Sequence, residues 1–477
     1  MKMIKSIYNI NDYGAVADDK TLNSDVFAAV IRECSQAGGG TIYIPAGIFL
    51  TGPIQLKSNI TIYLEAGARV KFVQNIEHYN VIIDRWEGLE QEVYAPMING
   101  QGLENITIIG RGILDGQGEY WWNLFNKKEL KYHRPRFIGF LNCNNVLIEG
   151  IKLINSPSWT INPINCRNVV VNKVTIENPA ISPNTDGINP SSCKNVHISD
   201  CHIDVGDDCI AIKSGTEQCN NLIPCENITI SNCTMVHGHG GVVIGSETSG
   251  DIRNVVISNC VFEGTDRGIR IKSRRGRGGV VEDIRVNNIV MKRVICPFII
   301  NLYYYCGEGG KDKIVWDKNE YPVNEGTPVI RRIHFSNITA RGIIATAAFI
   351  YGLPEMPVED ITFDNVSVNL AEDSAFAIPA MISHLKPINH QGFYCNNFRS
   401  IKFNNIKIGG YEGPAFEMIK GKNVEFTGCE VENCGNSNPV IVLEEIDQAY
   451  IFGNKQSKQN DNFLYLRGSG NKGIDFG

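Results

Sequence analysis

The sequence has no apolar run near the roughly 18 residues that a membrane-spanning helix needs. Its start, MKMIKSIYNINDYG, has lysines but no apolar segment behind them, so no secretory leader is expected there. Excess positive charge is missing too. Forty-five Lys and Arg stand against 51 Asp and Glu, a net charge of −6. That balance gives no general attraction to nucleic acid or an anionic membrane, and an acidic ligand would need a local basic patch. Cysteine is not scarce, at 15, but no CxxC pair occurs, which argues against a zinc site. Cys201, Cys233, Cys260 and Cys429 close the similar phrases ISDC, ISNC, ISNC and FTGC. Such equivalent positions suit buried small side chains better than disulfides. A bridge between Cys219 and Cys225 across one loop is the alternative. The simplest compartment is the reducing cytoplasm; a secreted chain that had lost its leader would read the same way.

Helical periodicity is also scarce. One helix fits, at 23–37 (NSDVFAAVIRECSQA), stopped by Gly38, Gly39 and Gly40. Repetition fills the rest. SNITIYL (58–64), ENITIIG (104–110), NNVLIEG (144–150), RNVVVNK (167–173), KNVHISD (194–200), ENITISN (226–232) and RNVVISN (253–259) share one pattern. EDIRVNN (282–288), RRIHFSN (331–337), EDITFDN (359–365), RSIKFNN (399–405) and KNVEFTG (422–428) continue it more loosely. From Asn145 through Asn168, Asn195, Asn227 and Asn254 to Asp283 the spacings are 23, 27, 32, 27 and 29 residues. Short alternating β-branched runs punctuated by Asn, Gly and Asp are strands joined by turns. That period predicts an all-β fold, a parallel β-helix, with the helix capping its open end. A β-propeller is the second reading, but it wants longer, regular blades of four strands. The whole chain, 1–477, is expected to be one solenoid domain: a cap region at 1–60, coils at 61–430, and final coils with a cap at 431–477. Asn59, Asn105, Asn227, Asn232, Asn337 and Asn365 match glycosylation acceptors, but turn chemistry accounts for a repeated Asn.

In a stack of coils, residues at equal phase share one face. Asp186 follows Asn168 by 18 residues, Asp207 and Asp208 follow Asn195 by 12 and 13, and His239 follows Asn227 by 12. Arg270 and Lys272 follow Asn254 by 16 and 18. The expectation is a column of carboxylates, imidazole and cations facing a cleft, because unpaired charges in the core are too costly. Clustered carboxylates suit glycoside hydrolysis, one donating a proton and another activating water. Crowding raises one pKa and keeps that acid protonated. Carboxylates about 6.5–9.5 Å apart would leave room for a water and give inversion. Arg270 can grip a sugar carboxylate through two bonds. Arg274, Arg275 and Arg277 in SRRGRGG (273–279) either add to that grip or form a solvated charge run. Trp121 and Trp122, in an insertion at 119–136, either stack on sugar or anchor their loop.

SPNTDGINP (182–190), VGDDCIAIKSG (205–215), GHGGVVIGSE (238–247) and RGIRIKS (267–273) together resemble the NTD, DD, GHG and RIK blocks of the polygalacturonase family, glycoside hydrolase family 28, and its bacterial exo-acting members in particular. FLTGPIQLKSNI (49–60) and GILDGQGEYWW (112–122) extend the likeness, which reaches residue 310 or so. It implies a right-handed parallel β-helix that hydrolyses α-1,4-linked galacturonic acid with inversion, without metal or other cofactor. It makes Asp207 the general acid, gives the water to Asp186 and Asp208, and lets His239 tune the acid. Arg270 and Lys272 would hold the galacturonate carboxylate, with a Tyr following, for which NLYYYC (301–306) offers Tyr304. Lys213, inside the DD phrase, joins the substrate-binding set. The partner is then a galacturonate oligo- or polysaccharide, not nucleic acid or membrane. Exo action on oligomers is the expectation. Endo action, or rhamnogalacturonan or xylogalacturonan as substrate, is the alternative. A calcium-dependent pectate lyase and a non-catalytic carbohydrate-binding β-helix are more distant rivals.

Overall fold

A computed structural model describes residues 6–373, 375–432, 438–456 and 462–477. The first five residues, and 433–437 and 457–461 within the expected C-terminal coils, lie outside the described residues. Strand makes up 54% and helix 7%, which fixes the class as all-β. The chain comprises two compact units, Met1–Thr234 and Met235–Gly477.

In the first unit the chain visits three parallel ladders in turn. One runs Ile7–Asn9, Gly40–Ile44, Ile60–Leu64, Glu104–Gly110, Asn144–Glu149, Arg167–Asn172, Lys194–Ser199 and Cys225–Ser231. A second begins at Asp18–Leu22 and ends at His202–Val205. The third pairs Ile54–Gln55, Ile98–Gln101, Ile138–Leu141 and Ile161–Ile164. Single bridges then carry it on, Ile161 to Ile188 and Ile188 to Ile210. This winding is the parallel β-helix that the repeat predicts; a propeller's antiparallel blades would pair differently. One antiparallel hairpin, Val81–Trp86 with Leu89–Tyr94, leaves the stack. The capping helix is Ser24–Gln36, within one residue of expectation at each end, and it buries Phe27, Val30, Ile31 and Cys34, one helical face.

The repeated Asn has a conformational cause. All twelve second-position residues, from Asn59 to Asn423, hold left-handed backbone with φ between 54° and 62°, a region that Asn tolerates better than other side-chain-bearing residues. Stacked corners then bring the amides together. Asn105 donates to Asn59 at 2.8 Å, Asn145 to Asn105 at 3.1 Å, Asn168 to Asn145 at 3.2 Å, Asn195 to Asn168 at 3.0 Å and Asn227 to Asn195 at 3.1 Å.

The second unit repeats the scheme with longer strands, among them Ile252–Glu263, Val280–Lys292, Val329–Ile343 and Val358–Leu370, all parallel. Beside them run Gly240–Gly245, Arg267–Lys272, Cys296–Asn301 and Thr346–Tyr351. Position five of the repeat points inward in both units. It is Ile62, Ile108, Ile148, Val171, Ile198 and Ile230 in the first, each buried. In the second it is Ile257 and Val286 and then becomes Phe335, Phe363, Phe403 and Phe426, whose rings stack at 4.8, 5.3 and 5.1 Å. The ring spacing matches the strand spacing of a sheet, so one register serves backbone and side chains.

None of the fourteen described cysteines forms a disulfide. Cys201, Cys233, Cys260 and Cys429 are buried, as expected of small apolar fillers. Cys219 and Cys225 are not bridged: the Cys219 thiol donates to the Gly88 carbonyl at 2.6 Å and that of Cys225 to the Pro190 carbonyl at 3.6 Å.

Candidate active site

The third ladder of the first unit positions the acids. Ile188 pairs with Ile210 and Ser191 with Lys213, a constant offset of 22 residues. That offset sets Asp186 opposite Asp208 at the entry to adjacent strands. The Gly187 N–H donates to the Asp208 carbonyl at 3.0 Å, which fixes the match. Gly206 lets the chain turn there: a Cβ on it would press into the carbonyl oxygens of Ser182 and Pro179. Asp207, between Gly206 and the strand Asp208–Ile212, is therefore left at the edge. It is half-buried, whereas Asp186 and Asp208 are buried.

Oxygens of the three carboxylates lie within 4.8 Å of one another. This is the spacing of one oxygen from each group, and registry sets it. In-register side chains on neighbouring coils stand one strand spacing apart. Burial first, and then the charge of Asp207, hold the Asp186 carboxyl well above the usual carboxylate range; Asp208 adds to this, while Lys213 and the Asn189 amide oppose it. The Asn189 amide donates to Asp186 at 2.9 Å, and the Asp208 N–H donates to Asp207 at 2.8 Å. The trio is also the one group among the described residues whose spacing would suit a cation. Lys213 is buried, its Nζ 5.0 Å from the Trp159 ring centroid.

Arg134 is a residue beside the acids that the sequence reading missed. It is buried, its pKa lowered to about 10 by desolvation against the opposing charges of Asp186, Asp207 and Glu87. Its guanidinium donates to the carbonyls of Pro157 and Pro183 at 2.8 and 2.7 Å and to Asn184 Oδ1 at 2.6 Å. It thereby clamps the NTD loop. Only its phrase, HRPR, with Pro135 inside, signals an ordered segment. Trp86 is a second omission, stacked between His133 at 4.8 Å and Trp159 at 4.9 Å.

In the second unit Arg270 and Lys272 gather at Tyr304. The Arg270 Cζ is 5.7 Å and the Lys272 Nζ 5.3 Å from the ring centroid. Arg270 Nη2 also reaches the Met381 sulfur at 3.0 Å. Tyr304 is 8% exposed while Tyr303 is wholly enclosed, which separates it from its neighbour in NLYYYC. His239 is exposed; His237 is an exposed turn residue with φ 54°.

One expectation needs correction, and one alternative is decided. Arg274, Arg275 and Arg277 are no solvated run, for all three are buried. Arg275 forks onto Glu355 at 2.5 and 2.9 Å and bonds the carbonyls of Ile314, Asp317 and Asn319. Arg274 donates to the Glu308 carbonyl and Arg277 to that of Ser246. They brace loops. Trp121 is fully enclosed against Tyr79, Tyr94 and Tyr120, which makes it an anchor of the helix Glu119–Asn126. Trp122 donates its indole N–H to the Ser156 carbonyl at 3.0 Å.

The family model of glycosyl hydrolases family 28 matches residues 34–383. The chain belongs to this family. Among its relatives, a probable polygalacturonase of Vitis vinifera is 36% identical over 372 residues, covering 76% of this chain and 74% of the relative. An endo-polygalacturonase of Pectobacterium carotovorum subsp. carotovorum is 32% identical over 314 residues, 61% of this chain and 75% of that protein. Among solved structures, a hyperthermoactive exopolygalacturonase from Thermotoga maritima superposes with a TM-score of 0.69 at 32% identity, over 85% of this chain and 92% of the other. The family 28 match passes residue 310, where the motif likeness ends, and extends into coils recognisable in the sequence only by their repeat.

Proposed function

We propose that this family 28 hydrolase cleaves α-1,4-galacturonosyl linkages by single displacement with inversion, working from a chain end and releasing galacturonic acid. The observation that carries the reading is the in-register trio Asp186, Asp207 and Asp208, with oxygens within 4.8 Å. A water about 2.8 Å from each of two such oxygens fits that span. Asp186 and Asp208, buried and opposed, hold this water. Asp207 keeps one oxygen on the Asp208 N–H and turns the other to the leaving group. Lys213 and Arg134 keep the net charge from growing too costly. Arg270 and Lys272, flanking Tyr304, take the carboxylate of the sugar, and His239 tunes the acid. The exo mode is supported by the 32% likeness to an exopolygalacturonase over most of both chains.

Asp207→Asn tests the acid. A general acid contributes typically 10²- to 10⁴-fold, so turnover measured by reducing-sugar release from polygalacturonate should drop by at least two decades, with the melting curve kept. A variant retaining more than a few per cent of the rate would remove Asp207 from the role. Monogalacturonate alone from the first minutes means exo action; a ladder of oligomers means endo.

A further inference from the structure

A second cavity in the first unit has the chemistry of a uronate site. Its volume is about 860 Å³; Arg85, Gln91, Gln101, Asn142, Asn165 and Asn221 line it, and so do the acidic residues Asp84 and Glu90. It lies where the strands Ile98–Gln101, Ile138–Leu141 and Ile161–Ile164 end, beneath the hairpin that carries Arg85. The three acids sit where strands of the same ladder begin. Ser191, which Arg85 touches, lies five positions along the chain from Asp186, so the cavity is about 16 Å from the acids. The hairpin tip is fastened by the Cys219 thiol on the Gly88 carbonyl and by Gln91 on that of Trp86 at 3.2 Å.

Arg85 is the unusual group. It is 8% exposed, yet no carboxylate pairs with it among the described residues. Its Nη2 donates to Asn165 Oδ1 at 3.2 Å and Ser191 Oγ at 3.0 Å, and its buried Nε has no partner. The neighbouring Asp84 is taken by Arg136. A buried guanidinium with donors to spare seeks an oxyanion, and a fork of N–H groups fits a carboxylate. The surrounding amides both donate and accept, as a ring of hydroxyls requires. Together they fit a sugar acid better than a bare anion.

We propose that this cavity is an accessory subsite in which Arg85 binds the carboxylate of a uronate residue remote from the scissile bond of the same chain. The inference rests on the galacturonide reading above. It predicts that kcat/KM rises with oligomer length and that the rise depends on the cavity. The test measures kcat/KM on di- to hexagalacturonate for the wild type, Arg85→Gln and Asn221→Asp. Both variants should lose about tenfold on the longest oligomers, and less than twofold on the dimer. Asn221 is exposed at the rim, so its variant folds even if Arg85→Gln does not. A wild-type profile flat with length, or an equal loss at every length, overturns the proposal. Free galacturonic acid competing equally at all lengths would identify a separate product molecule as occupant and would also overturn it. If the wild type cleaves no galacturonide, the activity fails, and calorimetry with hexagalacturonate then judges the cavity alone. Weaker binding by both variants supports it, and unchanged binding refutes it.

Discussion

Replacing Asp186 with Asn should abolish turnover and yet make the protein more stable at neutral pH. Asp186 shares its space with two other carboxylates, oxygens within 4.8 Å. At an effective dielectric of about 20, unit charges at that distance repel by about 3.5 kcal/mol. Asp186 meets two such repulsions and one attraction, to Lys213, of the same order. The net penalty of ionising Asp186 beside the other two is thus about 3.5 kcal/mol, and proton uptake relieves part of it, leaving an expected gain of roughly 1–3 kcal/mol. The sign follows from linkage. Asp186 in the folded protein titrates well above its unfolded value near 4. Its protonated form favours folding fully below the unfolded pKa, and that contribution is lost as pH rises through the folded one. The Asn side chain does not titrate and can still accept from Asn189. Thermal melts of wild type and variant at half-unit steps from pH 4 to 8 should therefore coincide at the acid end and diverge upward, with the variant melting higher. A variant that melts lower at pH 8, or a gap that ignores pH, would refute the crowding argument.

Phe363→Ala removes a fully buried ring stacked between Phe335 and Phe403 at 4.8 and 5.3 Å. It should cost about 3–5 kcal/mol, read from the urea midpoint. Arg136→Met leaves Asp84 buried without its ion-pair partner. A loss of about 3–5 kcal/mol is expected, most of it recovered in the double variant Arg136→Met/Asp84→Leu. EDTA should leave the hydrolysis rate unchanged, and no product absorbing in the ultraviolet should form; loss of activity with chelator would point to calcium-dependent elimination instead.

The solenoid was legible because its corners use one residue type for one backbone reason. Asn at left-handed φ recurs wherever the chain must turn, and the phrase around it shows strand alternation. Even where Arg332, Asp360 and Ser400 replace it, the angle persists, at 56°, 55° and 61°. The acids were legible as one phase of successive coils. The distance between them was not, since it follows from registry across a ladder rather than from spacing along the chain. Arg134 escaped notice because its partners, Pro157, Pro183 and Asn184, come from later coils. The arginines at 274–277 misled for the opposite reason. A charge run shows in sequence, whereas the backbone carbonyls and the Glu355 that absorb it do not.

The Gly187 to Asp208 hydrogen bond means that the gauge of the candidate site is set by the sheet itself. Mutation around Asp186 and Asp208 can alter charge, wetness and access, but it cannot widen the gap between them without breaking a ladder. Diversification of such an enzyme must therefore happen in what hangs from the coils, as the hairpin at 81–94 already does, while the chemistry keeps the pitch of the backbone.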